Sequence, residues 1–335
     1  MTAENKKDGI MRTITLFDTA VGSSNLGDEI ILEAVRREMA PVFESGLTLR
    51  LATHINNFTG LQMLRHNGKI AFFEQADLKF ICGTNLLAQK RFGKVNQQWQ
   101  LKRSNLPVYK NCILVGVGAT TGDTVMEAGA ARLYKKVLSG NYIHSVRDDH
   151  TLKLVEALGV RAVNTGCPTL WGLTEEHCRS IPKGKAPDCI FSISGYADQK
   201  EPEADSELLE ILSAAYENKW AWIQTTEDEN YLNRFDPEGK IPRIYSLEQF
   251  RRLLKPGQVD YVGTRLHGGV FALQMGCRSL VIVIDQRAMG FHETNNLPVI
   301  LRKEVGNGLE KRLHDGFETR ISLPEKEIRL FKEQF

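Results

Sequence analysis

Short apolar runs alternate with amphipathic helical patterns along most of the chain, and this alternation starts twice, with a polar, proline-bearing stretch between the two series. That pattern is a severe constraint. A run of four to seven apolar residues is long enough for one buried strand, and a three-and-four-spaced segment after it supplies the crossover that a parallel neighbour requires. The expected fold class is therefore α/β, with parallel sheets covered by helices.

The first series has strand-like runs at residues 12–19, 47–53, 78–83, 112–119 and 142–148, with helical patterns at 29–39, 124–140 and 149–159. The segment TEEHCRSIPKGKAPD, residues 174–188, lacks clear periodicity and suits a linker. The second series follows at 190–194, 220–226, 243–246, 259–264 and 279–285. A length of 335 residues exceeds one comfortable core. The boundaries predicted are an N-terminal Rossmann-like domain over 1–175 and a second over 186–320, with a helix over 324–335 that crosses back. The two domains are expected to face each other across a cleft.

Composition removes several function classes. With 43 basic and 41 acidic side chains the formal charge is +2, which gives no bulk attraction to nucleic acid or to an anionic membrane. The six cysteines form no CxxC pair and read as reduced, buried thiols of a reducing compartment. The first seventeen residues have no apolar stretch after their basic residues, and nothing approaches the roughly 20 apolar residues of a membrane span. HExxH and HxH spacings, GxxxxGK[ST] and GxSxG are all missing from the sequence, which argues against a dedicated zinc site, an ordinary ATPase and an α/β-hydrolase. GVGATTG, which contains Gly118, is not the dinucleotide fingerprint.

In doubly wound sheets ligands bind beyond the carboxyl ends of the strands. Those positions hold Asn25, Gly27 and Asp28; Gly83, Thr84 and Asn85; Arg147 and Asp148; Thr225, Thr226, Glu227 and Asp228; Thr264, Arg265 and His267; and Asp285 and Arg287. Arginine forks at such ends suit carboxylate and phosphate groups. Arg265 and His267 precede the helical run GGVFALQMG, so they stand near a helix N-terminus, where an anion is welcome. The residue pattern also allows a second reading, in which Arg265 pairs with an internal carboxylate and His267 caps the turn. Gly268 and Gly269 favour the ligand reading, since glycines at a helix start permit close backbone approach.

Several segments in order resemble the polysaccharide pyruvyl transferases, bacterial enzymes that move enolpyruvate from phosphoenolpyruvate onto a sugar. They are the N-x-G-D at Asn25, Gly27 and Asp28, the G-x-N-L-L from Gly83 to Leu87, and S-V-R-D from Ser145 to Asp148. The R-L-H-G from Arg265 to Gly268 runs into A-L-x-x-G and an apolar strand ending at Asp285. The resemblance covers roughly residues 14 to 300. It implies a fold like that of two-Rossmann (GT-B-like) glycosyltransferases and phosphoenolpyruvate as donor substrate, with no cofactor and no metal. It also implies a cytoplasmic enzyme of exopolysaccharide or capsule biosynthesis, acting on a free or lipid-linked saccharide. Peripheral contact with the inner membrane face and a homo-oligomer are both compatible with it, and nucleic acid is not a partner.

The resemblance sets Arg147, Arg265 and His267 against the donor. A lysine usual after the strand-end Asp is replaced by Arg287. C-G-T-N and C-P stand where the family commonly has G-G-G-N and D-P. Arg147, Arg265 and Arg287 are expected to bind the donor, with Arg147 and Arg265 opposed across the cleft. His267 is expected as general acid or phosphate ligand and Asp28 as the base, while Asn25, Gly27, Asn85, Gly118, Gly268, Thr225 and Asp285 line the site. The alternatives are a nucleotide-sugar glycosyltransferase, with Thr225 to Asp228 holding the nucleotide, and a non-catalytic sugar-binding relative.

Overall fold

The computed structural model describes residues 11–65, 68–90, 99–120 and 125–335. The first ten residues, the end of GVGATTG and the first residue of the expected helix at 124–140 lie outside the described residues. The chain divides into two compact units: unit 1 comprises residues 1–22, 32–168 and 325–335, and unit 2 comprises 23–31 and 169–324.

Unit 1 contains β1 (Thr13–Asp18), β2 (Leu47–Ala52), β3 (Leu78–Cys82), β4 (Asn85–Leu87), β5 (Cys112–Val115), β6 (Gly118–Ala119), β7 (His144–Val146) and β8 (Ala162–Asn164). The main sheet is parallel, in the order β2-β1-β3-β5, while β4 pairs with β6 and β7 with β8. β3 and β5 are buried along their whole length; in β3 this includes Lys79, whose ammonium donates to the Glu74 and Val108 carbonyls at 2.7 and 3.1 Å. The helix Glu325–Lys332 belongs to this unit. Beyond it, the Gln334 side-chain amide accepts from Ile143 N and donates to Ile143 O, and the Phe335 ring meets Phe80 and Tyr142.

Unit 2 contains β9 (Asp188–Ser192), β10 (Lys219–Trp222), β11 (Arg243–Ile244), β12 (Val259–Gly263), β13 (Ser279–Val283) and β14 (Val299–Leu301). They form one parallel sheet in the order β11-β10-β9-β12-β13-β14. This is the doubly wound order in which the chain reverses direction across the sheet between its first and fourth strands, here β9 and β12. The crevice beyond their carboxyl ends is where such sheets bind ligands. One core cluster includes Phe191, Leu208, Leu212 and Leu309, and another Ile190, Trp222, Phe250 and Tyr261, with Trp222 stacked on Phe250 at 4.4 Å.

Three features differ from the sequence expectations. Residues 23–31, expected in the N-terminal domain, fold with unit 2, where Ile30 joins the Trp222 cluster. The expected linker contains a short helix, Glu175–Ser180, capped by the Thr174 hydroxyl, and His177 Nε2 lies 2.7 Å from Leu273 O. β4, β8 and β14 lie where the sequence pattern predicts no strand; each is only three residues long. All six cysteines are free and buried, and burial pushes the Cys277 thiol up to about 12. Among the described residues no helix is long and apolar enough to cross a membrane, and no group of three His, Cys, Asp or Glu could hold a metal ion.

Candidate active site at the sheet reversal of unit 2

β12 ends at Gly263, Thr264 follows, and the helix Leu266–Gln274 opens with Arg265 as its N-cap, whose side chain makes no cap bond to the helix. Arg265 is anchored before any ligand arrives. Its main-chain N–H donates to Ser192 Oγ at 3.0 Å, and the Tyr261 hydroxyl donates to its carbonyl at 2.9 Å. The guanidinium is 5% exposed and donates through Nε to Asp228 Oδ2 at 2.9 Å, through Nη2 to Asp228 Oδ1, and through Nη2 to Thr225 Oγ1 at 3.2 Å. Its other face lies 4.2 Å from the Tyr196 ring centre. Burial alone would lower the Arg265 pKa, but the Asp228 carboxylate outweighs it and holds the group firmly charged.

Asp228 is 1% exposed and also accepts from Gly195 N at 2.8 Å, Gln224 N at 3.2 Å and Thr225 N at 3.3 Å. Thr225 and Asp228 form a reciprocal capping box on the helix Thr226–Leu232. The internal-carboxylate reading of Arg265 therefore describes the structure, with Thr225 and Asp228 closing the corner around it. The Thr-x-x-Asp spacing carried this signal in the sequence. Tyr196, Gln224 and Ser192 carried none.

Asn25 joins the same network. Its Oδ1 accepts from Gly27 N at 2.8 Å and Gln224 Nε2 at 2.9 Å, and its Nδ2 donates to the Tyr196 hydroxyl at 3.3 Å. A methyl at Gly27 would lie 2.8 Å from Gln224 Nε2. Asn25 and Gly27, expected to touch substrate, thus dock residues 23–31 onto the end of β10. Asp28 is buried and accepts from Ser23 Oγ at 2.6 Å.

His267 lies in the first turn, 9% exposed, edge-on to the Phe291 ring at 6.5 Å. Gly268, expected to line the ligand site, packs closely on the sheet: a methyl there would lie 2.8 Å from the Tyr261 hydroxyl and 3.1 Å from Trp222 Cδ1. Gly269 is equally tight against Val281. After β13, Asp285 caps the helix Gln286–Asn295 by accepting from Arg287 N at 3.0 Å and Ala288 N at 3.1 Å. It also takes both Nε and Nη2 of Arg287, at 3.0 and 2.6 Å. Burial would raise the Asp285 pKa, but the Arg287 charge and these N–H groups pull it below the ordinary value. The Arg287 side chain is 37% exposed, so it can exchange its partner far more cheaply than Arg265 can.

The sequence profile of the family described as polysaccharide pyruvyl transferase matches residues 25–286. The chain belongs to the polysaccharide pyruvyl transferase family. It is therefore a transferase, and the matched span runs from the docking segment at Asn25 through the Arg265 corner to the helix that Asp285 caps. A search of curated proteins finds no significant match.

In unit 1 the transferase brings three of the expected residues together. Asn85 and Gly118 are register partners on β4 and β6, and a methyl at Gly118 would lie 2.5 Å from Asn85 Oδ1 and 2.7 Å from Arg147 Nη2. Gly118 is the space into which both side chains fit. Asn85 Oδ1 is buried with no hydrogen-bond partner among the described residues. Arg147 reaches Asp148 only at 3.4 Å, while Asp148 caps the helix Asp149–Glu156 through Thr151 N at 2.7 Å.

Proposed function

We propose that this transferase moves the enolpyruvyl group of phosphoenolpyruvate onto two hydroxyls of a sugar in a cell-surface polysaccharide or its lipid-linked precursor, forming a ketal. The observation that carries the reading is the helix Leu266–Gln274. It starts at the reversal point of the unit 2 sheet, with no cap from the side chain of its N-cap residue Arg265 and with His267 in its first turn, inside the span that the family profile matches. A helix start presents a positive dipole end to a phosphate or carboxylate.

The chemistry requires a proton on the methylene carbon, two new bonds from sugar oxygens to C2, and cleavage of the bond between C2 and the phosphate oxygen. Of the two hydroxyl protons released, one balances the new methyl group and the other leaves with phosphate. His267 is assigned to deliver the proton or hold the departing phosphate, and Asp28 to accept one from the sugar. Arg287 exchanges Asp285 for a donor anion. Arg265, already held by Asp228, is a positioning residue that fixes where the helix begins. Arg147 is assigned to the donor as well, with Asn85 and Gly118 beside it.

Incubation with phosphoenolpyruvate and a panel of glycans should add one pyruvyl group, seen by mass, with release of phosphate. His267→Ala should cut turnover on the order of 10²- to 10⁴-fold with little change in donor KM, and Arg147→Ala should raise the donor KM and spare the acceptor KM. Thermal stabilisation by a nucleotide sugar and none by phosphoenolpyruvate would replace this reading with the glycosyltransferase one.

A further inference from the structure

The small total charge of the chain conceals an uneven distribution. Residues 45–122 hold ten lysines and arginines against only Glu74 and Asp77, a local charge of +8 in a chain of +2. No acidic residue occurs from Ser45 through Phe73 or from Leu78 through Gly122. Within this stretch the helix Gly60–Arg65 turns Met63 inward and leaves Leu61 and Leu64 outward, 70% and 83% exposed. Leu61, Leu64 and Arg65 stand at three-and-four spacing, so they share one face of the helix. The turn Arg103–Asn105 packs against this helix, with the exposed Lys102 at its start, and the exposed Lys69 opens the next helix, Gly68–Gln75. Ile55, just before the helix, is also exposed.

Single exposed leucines need no explanation, but two on one short helix beside the exposed cations Arg65, Lys69 and Lys102 form a surface of mixed character. Nucleic acid or an acidic glycan would use the cations and leave the leucines in water. A bilayer with anionic headgroups uses both, the leucines entering the acyl boundary and the cations remaining at the phosphates.

We propose that this face of unit 1, made by Leu61, Leu64, Arg65, Lys69 and Lys102, docks on an anionic phospholipid bilayer. The inference does not rest on the donor assignment, because binding to vesicles is read without turnover. The test is co-sedimentation of the full chain with phosphatidylglycerol-containing vesicles and with pure phosphatidylcholine vesicles. The expected result is binding to the anionic vesicles only, weakened as salt shortens the screening length. Leu61→Ser with Leu64→Ser, and separately Arg65→Ala with Lys69→Ala, should each reduce the partition coefficient by about tenfold or more. The substituted side chains are solvent-facing, so folding, checked by circular dichroism and melting temperature, should be unchanged. Absence of binding to anionic vesicles, or full binding by the leucine variant, would overturn the proposal. A wild-type dimer that the leucine variant turns into a monomer would overturn it in favour of a second copy as the occupant.

Discussion

Removing the Asp228 carboxylate should cost more stability than removing the Arg265 guanidinium that it binds. The two are 1% and 5% exposed, so Asp228→Ala leaves a buried cation with only the neutral Thr225 hydroxyl and Tyr196 side chain beside it, and deprives the N–H groups of Gly195, Gln224 and Thr225 of their acceptor. Breaking a buried pair from one side costs about 3–5 kcal/mol. Arg265→Met removes the cation but leaves Asp228 with those same three N–H donors, which stabilise a carboxylate well. The loss should therefore be nearer the ~1.5–3 kcal/mol of hydrogen bonds to a charged group. The double variant should show a coupling of at least about 1.5 kcal/mol, in the range found for groups in one network. Urea unfolding followed by tryptophan emission is a suitable assay, because Trp171, Trp220 and Trp222 belong to unit 2 and only Trp99 to unit 1. Additive losses, or an Asp228→Ala cost below about 1 kcal/mol, would refute the argument that Arg265 is held internally.

Other expectations follow from single contacts. Burial brings the His144 pKa down from 6.5 to about 4, with Leu114 N donating to its Nδ1 and Nε2 lying 2.8 Å from Ser139 O. The unfolded chain then binds the extra proton between those values, so stability should fall by about 3 kcal/mol as the pH drops from 6.5 through 4. His144→Asn should flatten that acid limb in a stability-versus-pH series. Gly268→Ala pushes a methyl against Tyr261 and Trp222 and should lower stability by about 1–3 kcal/mol, read as a lower Tm. Arg287→Ala leaves Asp285 its two helix N–H donors, so Tm should hold while the KM for phosphoenolpyruvate rises; an unchanged KM would remove Arg287 from the donor site.

The strands were legible where burial on both faces forces an uninterrupted apolar run, as in FIC at the end of β3 and SLVIV of β13. β8 is three partly buried residues, Ala162–Asn164, too short and too polar to stand out. At the site, the residue types at the strand ends were legible because a doubly wound sheet exposes its loops there. Their partners were not. Asp228 lies 37 positions before Arg265, and Asn25 meets Gln224 across 199, separations at which only the folded sheet decides who meets whom. Gly268 shows a related limit: a glycine that admits a ligand and one that admits a neighbouring strand are identical in the sequence.

The return of residues 325–335 to unit 1 bears on how the chain is made. β3 is complete long before the ribosome reaches Phe335, whose ring covers Phe80. All of residues 169–324 must be synthesised in the interval. Unit 1 is thus begun first and sealed after unit 2, and during that delay Phe80 and Tyr142 lack the ring that covers them in the finished molecule. Synthesis from the N-terminus favours early folding of early segments, and here the early unit waits for a late one.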